Sequence, residues 1–353
     1  MKFSSLTTNM LTKQFNTGHP LCLRARAGVG KTNMIEQFCA DMDLGIVTEF
    51  TPAMDAPDAM GFLIPTKTDA GPVAMYSKPN WLRRIEEKIA LGLDSGVLFL
   101  DEYLSADHLV QKAFAPLMSE RRIGEWSLPD GWVVWVAGNR TIDKAGANKM
   151  LSHIGNRMCV LDVEADLDSW TTWANDHDIH PMYIAFAQAR PGVVFHNDAP
   201  KNPDDQQVSP RSFVYAHDFH ADDNDSMSLD TDVVTQGIIA GYIGEAATAE
   251  LFGFLKTVDE LPTIQEIEAN PATAKLPNEY RMDAQYAAVQ MVVHHVNSDN
   301  INPLFGYITR LNKELQASAA KQMIDKTKGT LLNSAALGKW ISENPALISS
   351  TFA

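Results

Sequence analysis

Cysteine is scarce in this chain of 353 residues, which contains only Cys22, Cys39 and Cys159. Their number is odd and they lie far apart, which excludes a disulfide framework and a Cys-x-x-Cys metal site. No apolar run reaches the roughly 18 residues that a membrane-spanning helix requires, and residues 1–30 show no pattern of a secretory signal. We therefore expect a soluble protein of a reducing compartment, the cytoplasm.

Basic residues are also in short supply. The chain has 29 Lys and Arg against 44 Asp and Glu, a formal net charge of −15. A protein that coats nucleic acid needs an excess of positive charge to bind the phosphates, so this class is disfavoured, although a small basic pore or patch is not excluded. The share of apolar residues, 45%, is typical of a globular protein, and the length predicts about two domains or one large α/β domain with an appended part.

Short apolar runs alternate with amphipathic stretches in the first half of the chain. This alternation predicts an α/β domain over residues 1–165, with a five-stranded parallel sheet and helices on both faces. Two β-hairpins are predicted to interrupt it, at 62–77 and at 122–134, the second turning at Pro129-Asp130-Gly131. The predicted strands are 20–24, 45–50, 96–101, 132–138 and 158–163, and the predicted helices are about 32–42, 80–92 and 106–119.

After residue 165 the strand-like runs fade and helical patterns replace them. Residues 166–353 are therefore expected to form an all-α lid and a C-terminal helical region. The predicted helices of this part are 168–190, 209–220, 230–256, 280–297 and 301–318.

The segment from Ala25 to Thr32, Ala-Arg-Ala-Gly-Val-Gly-Lys-Thr, follows a predicted strand and opens a predicted helix, the context of a phosphate-binding loop. Backbone N–H groups of such a loop and the helix N-terminus bind phosphate, Lys31 would reach the β- and γ-phosphates, and the Thr32 hydroxyl would bind Mg²⁺. Ala25 replaces the first glycine of the usual motif, a position that needs a tight turn more than a phosphate contact, so ATP binding is still expected. The predicted nucleotide-binding residues are Ala27, Gly28, Val29, Gly30, Lys31 and Thr32.

Polar side chains end two of the other predicted strands. Asp101 and Glu102 follow the apolar run Val-Leu-Phe-Leu; Asp101 could hold a magnesium-bound water, and Glu102 could polarise the water that attacks the γ-phosphate. Asn139 ends the fourth strand, where its amide could orient that water. In this architecture the fourth strand is expected to lie beside the strand that precedes the phosphate-binding loop.

Together these elements resemble an AAA+ ATPase of the MoxR family. The resemblance covers at least residues 18–220, and the order and spacing of its motifs make it specific. Besides the loop and the two acids, the matching motifs include Lys78-Pro-Asn-Trp81-Leu, Glu120-Arg121-Arg122-Ile-Gly124, Leu128-Pro-Asp-Gly131-Trp132 and Ser209-Pro210-Arg211.

The resemblance implies roles for further residues and for partners. Asn139 resembles sensor 1, Arg211 resembles sensor 2, and Arg157 stands where the family has an arginine finger that reaches the neighbouring subunit's γ-phosphate. The two hairpins resemble inserts that line the pore of a ring. The family implies a homo-oligomer, expected to be a hexameric ring, that remodels or activates a protein client with a partner containing a von Willebrand factor A-type domain.

Some alternatives stay open from sequence. Arg140 follows Asn139 where relatives often have proline, so Arg140 competes with Arg157 as the residue that acts in trans. A nucleic-acid motor or clamp-loader-like ATPase and a nucleotide-gated scaffold are the alternative functions. Histidine pairs such as His217 and His220 have no evident third ligand, so a zinc site is not expected.

Overall fold

The first unit of the structure is built around a parallel sheet whose strand order differs from the chain order. A computed structural model describes residues 2, 6–69, 71–140, 155–196, 206–221, 232–256 and 261–345, and these divide into a unit before residue 166 and a second unit from Asp166 onward. The strands of the first unit are β1 (Leu21–Arg24), β2 (Gly45–Phe50), β3 (Leu63–Thr68), β4 (Gly71–Tyr76), β5 (Gly96–Asp101), β6 (Arg122–Ile123), β7 (Trp126–Ser127), β8 (Trp132–Gly138) and β9 (Cys159–Asp162).

The main sheet has the order β2-β5-β8-β1-β9, and every pairing in it is parallel. The predicted five-stranded parallel sheet is therefore confirmed, and each of its strands lies within one residue of its predicted bounds. Strand β8 pairs with β1 on one side and with β5 on the other. This order brings the end of β8 between the end of the strand that precedes the phosphate-binding loop and the end of the strand that carries Asp101.

Helices cover both faces of this sheet, as predicted. Along β5, Leu98 and Leu100 belong to one buried cluster while Val97 and Phe99 belong to another, because successive side chains of a strand point to opposite faces. Helices over Asn80–Ala90 and His108–Glu120 contribute to the first cluster, and helices over Thr8–Asn16 and Lys31–Asp41 contribute to the second. The helices of this unit are α1 (Thr8–Asn16), α2 (Lys31–Asp41), α3 (Ala56–Met60), α4 (Asn80–Ala90) and α5 (His108–Glu120), of which α1 and α3 were not predicted.

A tryptophan covers two glycines at the start of the sheet. Gly45, Gly96 and Trp132 are in register across β2, β5 and β8. A Cβ atom on Gly45 or on Gly96 would lie 2.8 Å from the Trp132 ring, closer than non-bonded carbon atoms normally approach. The indole ring therefore requires glycine at both positions, and at Gly96 the carbonyl oxygen of Gly45, which would lie still closer to such a Cβ, requires it as well.

The two predicted hairpins have different outcomes. Strands β3 and β4 pair antiparallel from Leu63↔Tyr76 to Thr68↔Gly71, which confirms the hairpin predicted at 62–77. The prediction for 122–134 is wrong in extent and in turn position. Strands β6 and β7 pair over Arg122↔Ser127 and Ile123↔Trp126, so that the chain reverses at Gly124-Glu125. Gly131, with φ +80°, instead forms the turn that leads into β8 of the main sheet.

The second unit consists of helices in the residues that the structure describes, in agreement with the predicted all-α region. Three helices predicted as continuous are each divided in two. The first is broken before Pro181, the second at Gly244, whose φ is +79°, and the third before Asn312, whose side chain caps the next helix. The helices are α6 (Leu167–Asp176), α7 (Pro181–Ala189), α8 (Pro191–Val194), α9 (Pro210–His220), α10 (Val233–Ile243), α11 (Glu245–Leu255), α12 (Ile264–Ala269), α13 (Met282–His295), α14 (Ile301–Ile308), α15 (Lys313–Lys326) and α16 (Ala335–Glu343).

None of the helices in the described ranges combines the length and the apolar character that crossing a membrane would demand.

Candidate nucleotide-binding site

The loop between β1 and α2 has the backbone conformation that its sequence predicts. Gly28 and Gly30 have φ of +77° and +94°, values that glycine adopts without steric cost. Ala25 is fully buried, is not among the residues with positive φ, and donates its backbone N–H to the carbonyl of Gly138 at 3.2 Å. The first position of this loop therefore needs no glycine, which explains why alanine is tolerated there.

Lys31 begins α2 and its side chain turns back into the loop. Its Nζ donates to the carbonyl oxygens of Ala25 and Arg26, at 3.1 and 3.2 Å, and to Oδ1 of Asn139 at 3.0 Å. The residue is only 5% exposed, so the loop holds a charged ammonium group at the edge of the sheet. A buried positive charge with acceptors that can be exchanged is suited to bind an anion such as phosphate.

Thr32 and Asp101 offer neighbouring oxygen atoms for a metal ion. The Thr32 hydroxyl donates to Oδ2 of Asp101 at 2.8 Å, and Oδ1 of Asp101 accepts the backbone N–H of Glu102 at 2.9 Å. Mg²⁺ prefers oxygen ligands at about 2.1 Å in octahedral geometry, in which adjacent ligands are about 3 Å apart. The two side chains thus fit Mg²⁺ both in donor type and in spacing.

Glu102 lies beside this pair in an unusual backbone conformation. Its φ of 52° and ψ of 29° are left-handed, a conformation that costs a non-glycine residue of the order of 1 kcal/mol and is often found at functional sites. Oε2 of its carboxylate accepts hydrogen bonds from Nδ2 of Asn139 at 3.0 Å and from the Ser105 hydroxyl at 3.2 Å. Sequence reasoning missed Ser105, although a serine three residues after an acid is a pattern that favours a side-chain contact within a turn.

Asn139 connects the lysine to the glutamate. Its Oδ1 accepts from Lys31 and its Nδ2 donates to Glu102, and only this orientation of the amide satisfies both charged partners. Its position depends on close packing at the preceding residue, because a Cβ on Gly138 would lie 2.6 Å from Cγ of Leu104. The structure therefore brings together Lys31, Thr32, Asp101, Glu102 and Asn139, while their individual roles stay predictions.

The three predicted arginines have different surroundings. Arg140 is 9% exposed and forms an ion pair with Glu164 at 3.3 Å. Arg157 is exposed, and one of its guanidinium N–H groups donates to the carbonyl of Ala115 at 3.3 Å. Arg211 belongs to the second unit, where it occupies the first turn of α9 behind the N-cap Ser209. The sensor 2 and arginine-finger roles stay predictions for Arg211 and Arg157.

Two cysteines of the first unit are unsuited to nucleophilic chemistry. Burial raises the pKa of the Cys22 thiol and that of the Cys39 thiol to about 12. Both therefore remain protonated at neutral pH, and the thiolate is the reactive form of cysteine. The lysine, the carboxylates and the amide are therefore the candidate functional groups at this edge of the sheet.

Comparisons with known proteins add little to this geometry. No protein-family model and no curated protein sequence matches the chain. Among solved structures, a RuvB variant from Thermotoga maritima is 11% identical with a TM-score of 0.32, covering 94% of this chain and 80% of that one. NtrX from Brucella abortus, in complex with ATP, is 12% identical with a TM-score of 0.34, covering 98% and 69%. Such low values define no family, so the function has to be inferred from the site itself.

Proposed function

We propose that this chain is an AAA+ ATPase of the MoxR type, which hydrolyses Mg-ATP in a homo-oligomeric ring to remodel or activate a protein client. The observation that carries the proposal is the cluster at the carboxyl edge of the sheet. There Thr32 contacts Asp101 at 2.8 Å, and Asn139 bridges Lys31 and Glu102. These are the groups that phosphate binding, metal binding and water activation require.

Each residue has a defined task in the proposed reaction. Lys31 binds the β- and γ-phosphates, while Thr32 and Asp101 hold Mg²⁺, which neutralises charge on the phosphates. Glu102 accepts a proton from the attacking water as the water oxygen bonds to the γ-phosphorus and the bond to the bridging oxygen breaks. Asn139 orients that water through its amide.

The charges of the cluster make a divalent cation indispensable. Asp101 and Glu102 carry two negative charges against the single positive charge of Lys31, and an ATP molecule adds about four more negative charges. At these short distances the carboxylates would repel the triphosphate unless a cation lies between them. We therefore expect hydrolysis to depend strictly on Mg²⁺ or a similar divalent ion.

The proposed ring is supported by the surroundings of the arginines. Arg140 is buried in an ion pair with Glu164, whereas Arg157 is exposed, so Arg157 is the better candidate to reach a neighbouring subunit. Its planar guanidinium would stabilise the charge that develops on the γ-phosphate. Arg211 would act as sensor 2 on the lid.

The hairpin β3–β4 supports a protein client over a nucleic acid. It exposes large apolar side chains, including Phe62, Leu63 and Ile64 at 60%, 57% and 47%, and Lys67 is its single basic residue among the described positions. Exposed apolar groups favour contact with unfolded or partly folded polypeptide, while phosphates would require more positive charge. By its resemblance the chain would work with a partner that contains a von Willebrand factor A-type domain.

The proposal is tested by steady-state ATP hydrolysis and by binding of a fluorescent ATP analogue. We expect Lys31→Ala to abolish binding, and Glu102→Gln and Arg157→Ala to bind nucleotide while losing turnover. Mixing Glu102→Gln with Arg157→Ala subunits should restore part of the turnover, because some interfaces then contain both intact residues. Equal turnover of wild type and Glu102→Gln would favour a nucleotide-gated scaffold, and strong stimulation by DNA at physiological salt would favour a nucleic-acid motor.

A further inference from the structure

In the turn that follows β5, the side chain of Ser105 contacts the carboxylate of Glu102, and the proposed mechanism assigns no role to this serine. The hydroxyl of Ser105 donates to Oε2 of Glu102 at 3.2 Å, and the backbone N–H of Ser105 donates to the carbonyl of Glu102 at 2.8 Å. The two hydrogen bonds close a short turn over Tyr103–Ser105. The left-handed backbone of Glu102 directs the chain into this turn, so that backbone and side chain together fix one residue.

Packing on both sides prevents this turn from drifting. Tyr103 is fully buried, and its hydroxyl donates to the backbone carbonyl of Gln111 at 2.7 Å. The side-chain amide of Gln111 donates to the carbonyl of Ala106 at 3.0 Å, just after the turn. Leu104, between Tyr103 and Ser105, fills the space above Gly138. The Ser105 hydroxyl is thus presented to Glu102 from a rigid support, which limits the entropy lost when its hydrogen bond forms.

The two donors to Glu102 differ in what else they contact. Asn139 also accepts a hydrogen bond from Lys31, so its amide is coupled to the group that must bind phosphate. Ser105 bonds to Glu102 through both its hydroxyl and its backbone N–H. A nucleotide that took Lys31 and Asn139 as partners would leave the Ser105 hydroxyl as the donor to Oε2.

We propose that Ser105 is a positioning residue for hydrolysis, which fixes Oε2 of Glu102 so that Oε1 is directed to the proton of the attacking water. This inference rests on the proposed ATPase function. A hydrogen bond to a charged acceptor contributes about 1.5–3 kcal/mol, and at 3.2 Å this one is longer than the strongest O–H···O bonds. We therefore take the lower end of this range, which corresponds to about 10-fold in rate if the bond is required in the transition state.

The test compares Ser105→Ala and Ser105→Thr with wild type by kcat, KM and dissociation constant for an ATP analogue. We expect Ser105→Ala to lower kcat about 10-fold and to leave the dissociation constant within about twofold, because the hydroxyl of Ser105 donates to Glu102 and not to the phosphate-binding loop. Ser105→Thr keeps a hydroxyl and should retain most of kcat. Ser119→Ala removes a serine hydroxyl that donates only to a carbonyl of its own helix, so it is the matched control with unchanged kcat.

Combination with Glu102→Gln separates positioning from a merely structural role. If Ser105 acts through the carboxylate, adding Ser105→Ala to Glu102→Gln should leave unchanged the residual rate of Glu102→Gln, measured in single-turnover reactions at high enzyme concentration, because residues that act as a unit are not additive. An equal loss in both backgrounds, or a Ser105→Ala variant with wild-type kcat, would overturn the inference and leave the ATPase function intact. A wild-type chain that does not hydrolyse ATP would overturn the proposed function, and the role of Ser105 with it.

Discussion

Gly138 is a position at which one added methyl group should disturb the candidate site. A Cβ on this residue would lie 2.6, 2.7 and 3.0 Å from Cγ, Cβ and Cδ1 of Leu104, whereas carbon atoms in contact are about 3.5–4.0 Å apart. Either the strand end or the turn at Leu104 must therefore move by about 1 Å in a Gly138→Ala variant. The clash includes the Cβ of Leu104, so a change of side-chain rotamer cannot relieve it.

The expected cost can be divided between stability and activity. Overpacking of this kind costs about 1–3 kcal/mol, and in a unit of this size each kcal/mol lowers Tm by about 2–4 °C. Asn139 is the next residue and holds both Lys31 and Glu102, so a displacement of about 1 Å there should lower kcat by up to about 100-fold. Binding of nucleotide should change less, since Lys31 and Thr32 stand on α2.

Thermal unfolding and steady-state ATP hydrolysis of Gly138→Ala measure the two effects. Gly253→Ala is the matched control, because Gly253 lies inside α11 and a Cβ there would meet no atom within 4 Å. Alanine in a helix interior should leave the protein as stable as before or slightly more so. If Gly138→Ala keeps the Tm and the kcat of wild type, then Leu104 can shift without a measurable cost, and its turn does not hold the site rigidly.

Three further predictions concern the metal, the sheet and pH. Thr32→Ala should raise the Mg²⁺ concentration for half-maximal hydrolysis at least several-fold, while Thr32→Ser should not; equal Mg²⁺ titrations would exclude Thr32 as a ligand. Trp132→Ala should lose about 3–5 kcal/mol of unfolding free energy in urea, whereas Tyr280→Ala, at a residue 85% exposed, should lose less than about 0.5 kcal/mol. Burial lowers the pKa of His217 from 6.5, against the opposing effect of Asp218, and Nε2 of His217 accepts the backbone N–H of His180 at 2.9 Å. Because the folded state disfavours protonation of this ring, the contribution of His217 to stability should be fully present above pH 6.5 and should fall as the pH drops toward the lowered pKa. The Tm measured from pH 5 to 8 should therefore vary less in His217→Gln than in wild type.

The parts of the fold that depend on local sequence could be predicted. The strand Gly96–Asp101 is apolar up to its final acid because both faces of the sheet are covered. The conformation of the candidate phosphate-binding loop could be predicted because Gly28 and Gly30 are needed for its local backbone geometry. Lys31, Thr32, Asp101 and Asn139 could be placed together because the carboxyl ends of parallel strands lie at the same edge of a sheet.

The parts of the fold and of the site that depend on packing between distant residues could not be predicted from the sequence. Nothing near Gly138 in the sequence indicates that Leu104 occupies the space beside it, and Ser105 becomes a partner of Glu102 only through the left-handed backbone of the turn. The second hairpin was misplaced for a similar reason. Pro-Asp-Gly is a strong turn signal, but the turn at Gly131 leads into β8, which pairs with β5 rather than with β7.

The hydrogen bonds of Lys31 determine what a phosphate must displace on entering the site. An ammonium group has three N–H donors, and here they are matched by the carbonyls of Ala25 and Arg26 and by Oδ1 of Asn139. The two carbonyls belong to the backbone of the loop, which would surround a bound phosphate, whereas the amide of Asn139 can rotate about its side-chain bonds. We therefore expect Asn139 to be the acceptor that a phosphate displaces most easily, and its displacement would also withdraw Nδ2 from Glu102. In the proposed function, occupancy of the loop would thus reach Glu102 through the two hydrogen bonds that Asn139 makes.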